Sequence, residues 1–411
     1  MMKSFDRRKF ITALGLSATA TAIATTSSFT NELVENSLTL IPADTPSDIK
    51  ITHVSTFRVK RAIFIKIETN AGVTGWGEAS SNSPMEVVES FILKTMPKTI
   101  IGMNPFDTEL IWNRLFWENH DLGPSGALSY AIAGIDLALW DIKGKILNQP
   151  VYNLLGGRFL TEVPAYCGIP LKGGKIPVEK AVERALKVAS LGYKTIKLRM
   201  QIREYNLNPI PDPTLRYYEA VRKALPQDID LFVDPNEGYT ASRAIEVGKA
   251  LQAMGMKYFE SPVPRENNKD LAEVVDALDI PVMAGEKCYT RWEFRDLILE
   301  GNPDIINPDL IKAGGITEVK RIATVAQIFF KQIVPHNTKP TLGTAAALHL
   351  MASISNAGPL LEYVELDTYD EVMTCFDADQ HLKLIDGKLR VPHSPGLGME
   401  INEKKLQQIA K

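Results

Sequence analysis

The spacing of apolar and polar positions changes twice along this chain. Over residues 49–69, "IKITHVSTFRVKRAIFIKIET" alternates apolar with polar residues, and after the turn sequence "NAG" comes "VTGWGEA". This pattern predicts three antiparallel strands in a meander. A helical period follows: in "SGALSYAIAGIDLALWDIKGKIL" apolar residues recur at three and four, and the small residues among them permit close packing. A sheet followed by helices predicts an α+β capping domain over residues 48–158. Beyond "NQPVYNLLGGRF", short apolar runs alternate with helical segments as far as residue 366. They predict strands at 163–169, 195–200, 230–236, 257–263, 281–287, 304–311, 332–337 and 360–366, an α/β fold of the TIM-barrel type over 159–366. Residues 367–411 lack that period, and "SPGLGMEI" reads as a segment returning to the cap to complete it.

Six of these runs end in an ionisable residue: Asp234, Glu260, Glu286, Asp309, His336 and Glu362, at spacings of 26, 26, 23, 27 and 26. One strand, one loop and one helix fill such a repeat, and barrel active sites form at the carboxyl ends of the strands, so all six side chains converge on one mouth. Three anions gathered there are costly without a cation. All-oxygen ligation of a divalent ion by Asp234, Glu260 and Glu286 suits Mg²⁺, with Mn²⁺ as a substitute, better than zinc. Lys197 and Arg199, two apart in "TIKLRM", face the same side of the barrel wall. Lys197 is a candidate acid, base or carboxylate clamp, whereas Arg199 stays protonated and acts electrostatically or pairs with the carboxylates. His336 with Asp309 on the neighbouring strand has the makings of an oriented general base. Glu362 is a candidate hydrogen-bond partner for a substrate carboxylate. Asn236 either adds a polar contact on the face of Asp234 or belongs to a turn in "DPNEG".

At 411 residues, 45% hydrophobic and 23% charged, with a net charge of -3, the chain has the make-up of a globular protein and no basic footprint for nucleic acid. Cys167, Cys288 and Cys375 lie far apart and read as buried thiols. Arg7 and Arg8 precede a short, weakly apolar Ala/Thr-rich stretch that resembles a twin-arginine export signal over residues 1–24, with Ala22-Ile23-Ala24 near a cleavage site. Residues 25–47 read as a flexible linker. A periplasmic mature protein without a membrane anchor follows; a cytoplasmic tail is the alternative.

These residues, with "GVTGWGEA", "AIAGIDLALWDIKGK", "PVYNLLGG", "NPDLIKAGGITE", "PHN" and "PGLGME", resemble the enolase superfamily in its mandelate racemase and muconate lactonizing enzyme branch, from about residue 49 onward. The resemblance implies a (β/α)7–8 barrel under an α+β cap, and abstraction of the proton α to a metal-bound carboxylate to give an enediolate. Racemases of this branch carry Lys-x-Lys, and here the second position is Arg199, which argues against a two-base racemase or epimerase. The better match is an acid-sugar dehydratase, with His336 as base and with Lys197 and Arg199 stabilising the intermediate. Cycloisomerisation of a lactone or anhydro sugar acid is the alternative. A catalytically idle sugar-acid binder would not need the Asp309 and His336 pair. Specificity is expected in cap segments around Arg58–Arg61 and Ser80–Met85. There Arg58, Lys60 and Arg61 either meet a second carboxylate or form a solvated hairpin tip. Assembly as a homo-oligomer is expected.

Overall fold

The computed structural model describes residues 48–60, 62–79, 84–202, 207–364, 370–376 and 382–410. The candidate signal and linker, Arg61, and Ser80 to Ser83 of the cap segment lie outside them. In the cap, strands β1 (Ile51–Val59), β2 (Ala62–Thr69) and β3 (Thr74–Ala79) form the expected meander, with β2 central. Helix α1 (Thr108–Trp117) and the twenty-residue α2 (Ala127–Ile146) follow, and α2 lies directly on β3. The "GWG" glycines make that approach possible. A Cβ at Gly77 would stand 1.9 Å from the Gly134 carbonyl oxygen, and one at Gly75 2.2 Å from that of Ala138. No side chain larger than hydrogen fits.

Helix α2 is buried almost throughout, including two carboxylates, and buried carboxylates need partners. Asp141 accepts the Trp76 N–H on β3 and the Leu397 N–H of the C-terminal segment, both at 2.9 Å, and pairs with Lys145 at 2.8 Å. Asp136 accepts the Thr317 N–H at 3.0 Å, beside the glycine pair that opens a barrel helix. A short helix α3 (Val151–Leu154) leads into the barrel.

Eight parallel strands form the barrel among the described residues: β4 (Glu162–Pro170), β5 (Thr195–Arg199), β6 (Asp230–Asp234), β7 (Phe259–Glu260), β8 (Val282–Ala284), β9 (Ile305–Ile306), β10 (Gln332–Ile333) and β11 (Leu361–Glu362). Strand β11 pairs with β4, and on the other side β10 meets the segment leading into β11 through a parallel bridge from Ile333 to Ala357. Helices α4 (Val178–Ser190), α5 (Thr214–Ala224), α6 (Ala241–Ala253), α7 (Asn268–Ala277), α8 (Arg291–Asp296), α9 (Gly315–Ile328) and α10 (Leu342–Ser353) occupy the connections. Several strands are shorter than their apolar runs suggest. The chain leaves the ladder through left-handed residues, Asn236, Glu237 and Ser261 at φ 54°, 60° and 41°, and through Gly285 at φ 126°.

The C-terminal segment first pairs with the barrel and then reaches the cap. Its hairpin β12 (Leu384–Ile385) and β13 (Lys388–Arg390) adds antiparallel to β4. Glu400 then meets Lys145, and Glu403, opening helix α11 (Glu403–Ile409), meets Lys66, both at 2.9 Å. Between the hairpin and Glu400, Leu397 O accepts the Nε2–H of His349 at 3.2 Å, while His349 Nδ1 accepts the Tyr152 N–H at 3.3 Å.

Both ring nitrogens of His349 are thereby used in the neutral form, and burial pushes its pKa down to about 4. The folded chain therefore binds fewer protons than the unfolded one between that value and about 6.5. Stability from this group is present above the upper limit and is lost as pH falls to the lower one, a change of about 3 kcal/mol. In urea titrations from pH 7 to pH 4, the stability gap between wild type and His349→Gln should narrow by about that amount. A constant gap would mean that His349 does not titrate in this way.

Candidate active site

The regular sequence spacing does not place every candidate at the same height on its strand. Asp234, Glu260 and Glu362 are the last residues of β6, β7 and β11. Glu286 lies two residues beyond β8, and Asp309 and His336 each lie three beyond β9 and β10. All are buried at the same mouth. Asp234, Glu260 and Glu286 each offer an oxygen, and the three oxygens lie within 4.8 Å of one another.

Lys197 enters this cluster from β5. Its Nζ is 2.9 Å from Glu362 Oε1, 3.1 Å from both oxygens of Glu260 and 3.8 Å from Asp234 Oδ2, above the Tyr166 ring. Gly168 on β4 leaves room for this, since a Cβ there would stand 3.1 Å from Glu362 Oε1 and 3.3 Å from Lys197 Cε. Burial alone would depress the lysine, but Glu260 and Glu362 outweigh it and hold Lys197 well above its ordinary pKa. It is an ammonium. Arg199, half-buried at the end of β5, is in register with Asp234, whose pKa burial raises while Lys197 and, less strongly, Arg199 oppose the rise.

His336 Nδ1 is 2.7 Å from Asp309 Oδ2, which assigns the proton to Nδ1 and turns Nε2 towards the acidic cluster, 3.3 Å from Glu286 Oε2 and 3.8 Å from Glu362 Oε2. Glu362 thus lies between Lys197 and His336. Asn236 is a turn residue whose amide is fully engaged: Nδ2 donates to Asp234 Oδ2 at 2.8 Å, and Oδ1 accepts the Gln201 N–H at 3.0 Å. Arg58 pairs with Glu86 at 2.6 Å and Lys60 with Glu371 at 3.2 Å.

Several participants have no periodic signal in the sequence. Lys312, buried on the loop after β9, donates to Asp309 Oδ2 at 3.1 Å and lies 3.3 Å from His336 Nδ1, extending the pair to three members. Asn307 donates to Glu260 at 3.1 Å, and Asn337 donates to Glu362 through both its backbone and its side-chain amide. Lys287, next to Glu286 in sequence, pairs with Glu237 at 2.9 Å. From the cap, Glu78 on β3 accepts from the Thr341 hydroxyl at 2.6 Å and the Gly343 N–H at 3.0 Å, at the start of α10 just beyond His336. Ser129 of α2 donates to Lys312 O, and Trp112 of α1 to Gly314 O. The cap is therefore bonded to the two loops that follow β9 and β10.

The electrostatics fit a cation. Burial, with repulsion from neighbouring carboxylates, pushes Glu260 up strongly and Asp234 up to about 6, despite Lys197. Glu286 Oε2 is buried without a hydrogen-bond partner. A carboxylate oxygen left in that condition is a ligand atom in waiting.

Carboxylates at or just beyond the ends of three successive strands, a histidine backed by an aspartate, and a cap bonded to the strand-end loops define a capped-barrel enzyme built around an acidic centre. Two family models match this chain: the mandelate racemase / muconate lactonizing enzyme N-terminal domain over residues 37–156 and the enolase C-terminal domain-like family over 180–405. The chain belongs to the mandelate racemase and muconate lactonizing enzyme branch of the enolase superfamily, whose members bind a divalent metal. It is 32% identical to D-galactarolactone cycloisomerase of Agrobacterium fabrum over 84% of this chain and 90% of that protein. It is also 32% identical to D-galactonate dehydratase of Variovorax paradoxus over 87% and 94%. A mandelate racemase/muconate lactonizing protein of Paracoccus denitrificans, complexed with magnesium, superposes with a TM-score of 0.81 at 31% identity, covering 88% of this chain and 98% of that one.

Proposed function

We propose that this chain is a Mg²⁺-dependent acid-sugar dehydratase, with Asp234, Glu260 and Glu286 as metal ligands and His336 as its single base. The observation that carries this reading is the 2.7 Å Asp309–His336 contact at the mouth that holds the three clustered carboxylates. When bound, the metal would neutralise the substrate carboxylate and so acidify the adjacent C–H. With Nδ1–H directed to Asp309, the Nε2 lone pair of His336 takes the α-proton. Lys197, kept as an ammonium, and Arg199, charged at any accessible pH, offset the negative charge that builds on the substrate carboxylate. The C–H pair becomes the new C=C bond, the β C–O bond breaks, and the departing hydroxide takes the proton from His336 and leaves as water. That relay requires both groups to leave from one face. Glu362, ionised and bonded to Lys197 and to the Asn337 N–H, acts through Lys197, holding the ammonium that meets the substrate.

A cycloisomerase shares the first step and expels a ring oxygen in place of hydroxide; the equal identity to the Agrobacterium cycloisomerase favours retaining it as a second reading. We also propose export, based on Arg7 and Arg8 ahead of the Ala/Thr-rich stretch. No helix among the described residues is long and apolar enough to cross a membrane.

Three experiments test these assignments. Glu260→Gln should abolish turnover and reduce bound Mg²⁺, measured by elemental analysis, with the circular dichroism spectrum unchanged; full metal content with full turnover would remove Glu260 from the ligand set. His336→Asn should lower turnover about 10²- to 10⁴-fold with Mg²⁺ retained. In deuterated water, followed by NMR, this variant should lose α-proton exchange. Wild-type exchange rates in the variant, or interconversion of both α-epimers by the wild type, would defeat the single-base mechanism. Changing Arg7 and Arg8 together to Lys should leave uncleaved precursor in the cytoplasm, and a wild-type chain found there uncleaved in its native host would exclude export.

A further inference from the structure

Away from the barrel mouth, a cleft of about 540 Å³ opens at the seam between the cap helices α1 and α2 and the barrel helix α9. Its lining holds three cations, Lys143, Lys320 and Arg321, against two acids, Asp107 and Glu109. Glu109 is already paired with Arg321, which also holds Glu318 at 2.9 Å. The two lysines are placed differently. Lys143 Nζ sits 4.4 Å over the Trp140 ring, donates to Phe106 O at 3.1 Å and lies 3.4 Å from Thr108 Oγ1. Lys320 Nζ donates to Leu155 O at 2.7 Å. Neither has a carboxylate within ion-pair distance among the described residues; Asp136, the first acid acting on Lys143, is already bonded to Thr317.

Partial burial lowers the pKa of both ammonium groups. Each keeps N–H donors beyond those its protein partners use, since an ammonium has three. Thr317 Oγ1 accepts from Trp140 Nε1 at 2.9 Å and its hydroxyl bonds Asp136, so this side chain serves the fold and leaves the two lysines as the donors facing the cleft. Partly desolvated ammonium groups with spare N–H donors, lining a cleft of ordinary ligand size, call for an anion from outside the fold.

We propose that this cleft binds a small polyanion bearing carboxylate or phosphate groups, held by Lys143 and Lys320 and separate from the catalytic mouth. Because α9 follows the loop carrying Asp309 and Lys312, a ligand here would join the cap to the element next to the proposed base.

The test is isothermal titration of the full Mg²⁺-loaded protein with succinate and with inorganic phosphate at constant ionic strength. Saturable binding of at least one probe is expected, weakened about tenfold or more in Lys143→Met/Lys320→Met, with turnover unchanged. Lys320→Met alone serves if the double variant does not fold. Binding of succinate only or of phosphate only identifies the head group preferred. No saturation up to about 20 mM, or equal affinity in wild type and variants, overturns the proposal, since binding that ignores both lysines belongs elsewhere.

Discussion

Five carboxylates, Asp234, Glu260, Glu286, Asp309 and Glu362, are buried at one end of the barrel, and their mutual repulsion sets the terms for the surrounding structure. Two ammonium groups enter the cluster from different sides, Lys197 from β5 and Lys312 from the loop after β9. Each meets a different subset. Lys197 is shared among Glu260, Glu362 and, at longer range, Asp234, whereas Lys312 serves Asp309 and holds it below its ordinary pKa against the effect of burial. The division leaves Asp234 and Glu260 with raised pKa values and Glu286 Oε2 without a hydrogen-bond donor, where oxygens of these three carboxylates lie within 4.8 Å of one another. Charge balance also explains why neutral groups, the side chains of Asn236 and Asn307 and the backbone of Asn337, point N–H donors at these carboxylates.

Much of this was legible because barrels repeat. A period near 26 residues with an ionisable residue closing each apolar run identifies the strands and the six side chains they deliver. The limits of that reading are equally physical. Apolar character continues past the ladder, so Glu286, Asp309 and His336 read as strand ends although they sit on the loops beyond. Those loops have left-handed residues that a hydrophobic pattern does not reveal. Lys312 was invisible for a related reason: its contact with Asp309 comes from a turn three residues long, and turns have no period. Glu78 sits in the quoted motif "GVTGWGEA", but its partners Thr341 and Gly343 lie more than 260 positions away, where no local signal reaches. Arg58 and Lys60 could be read as rim cations because their partners, Glu86 and Glu371, come from other segments.

The cap does more than roof the barrel. Hydrogen bonds from Ser129, Trp112 and Thr341 tie its helices and β3 to the backbone or side chains of the loops after β9 and β10, which carry Asp309 and His336. Asp309 and His336, supported in this way, would need little reorganisation in the proposed role of base and orienting acid.

Helix α2 has a bearing on how the protein is made. Asp141, in the C-terminal part of that helix, accepts a hydrogen bond from the Leu397 N–H, 256 positions further on, and the same stretch supplies the carbonyl that keeps His349 neutral. While the ribosome is still working through the barrel, the cap helix has its apolar face and one of its buried carboxylates but not all of the donors that carboxylate requires. A nascent cap can therefore be only provisional. The cap and barrel, and with them the loops that position His336, reach their final fit only after nearly four hundred residues have emerged, so the order of synthesis itself keeps the catalytic mouth immature until late.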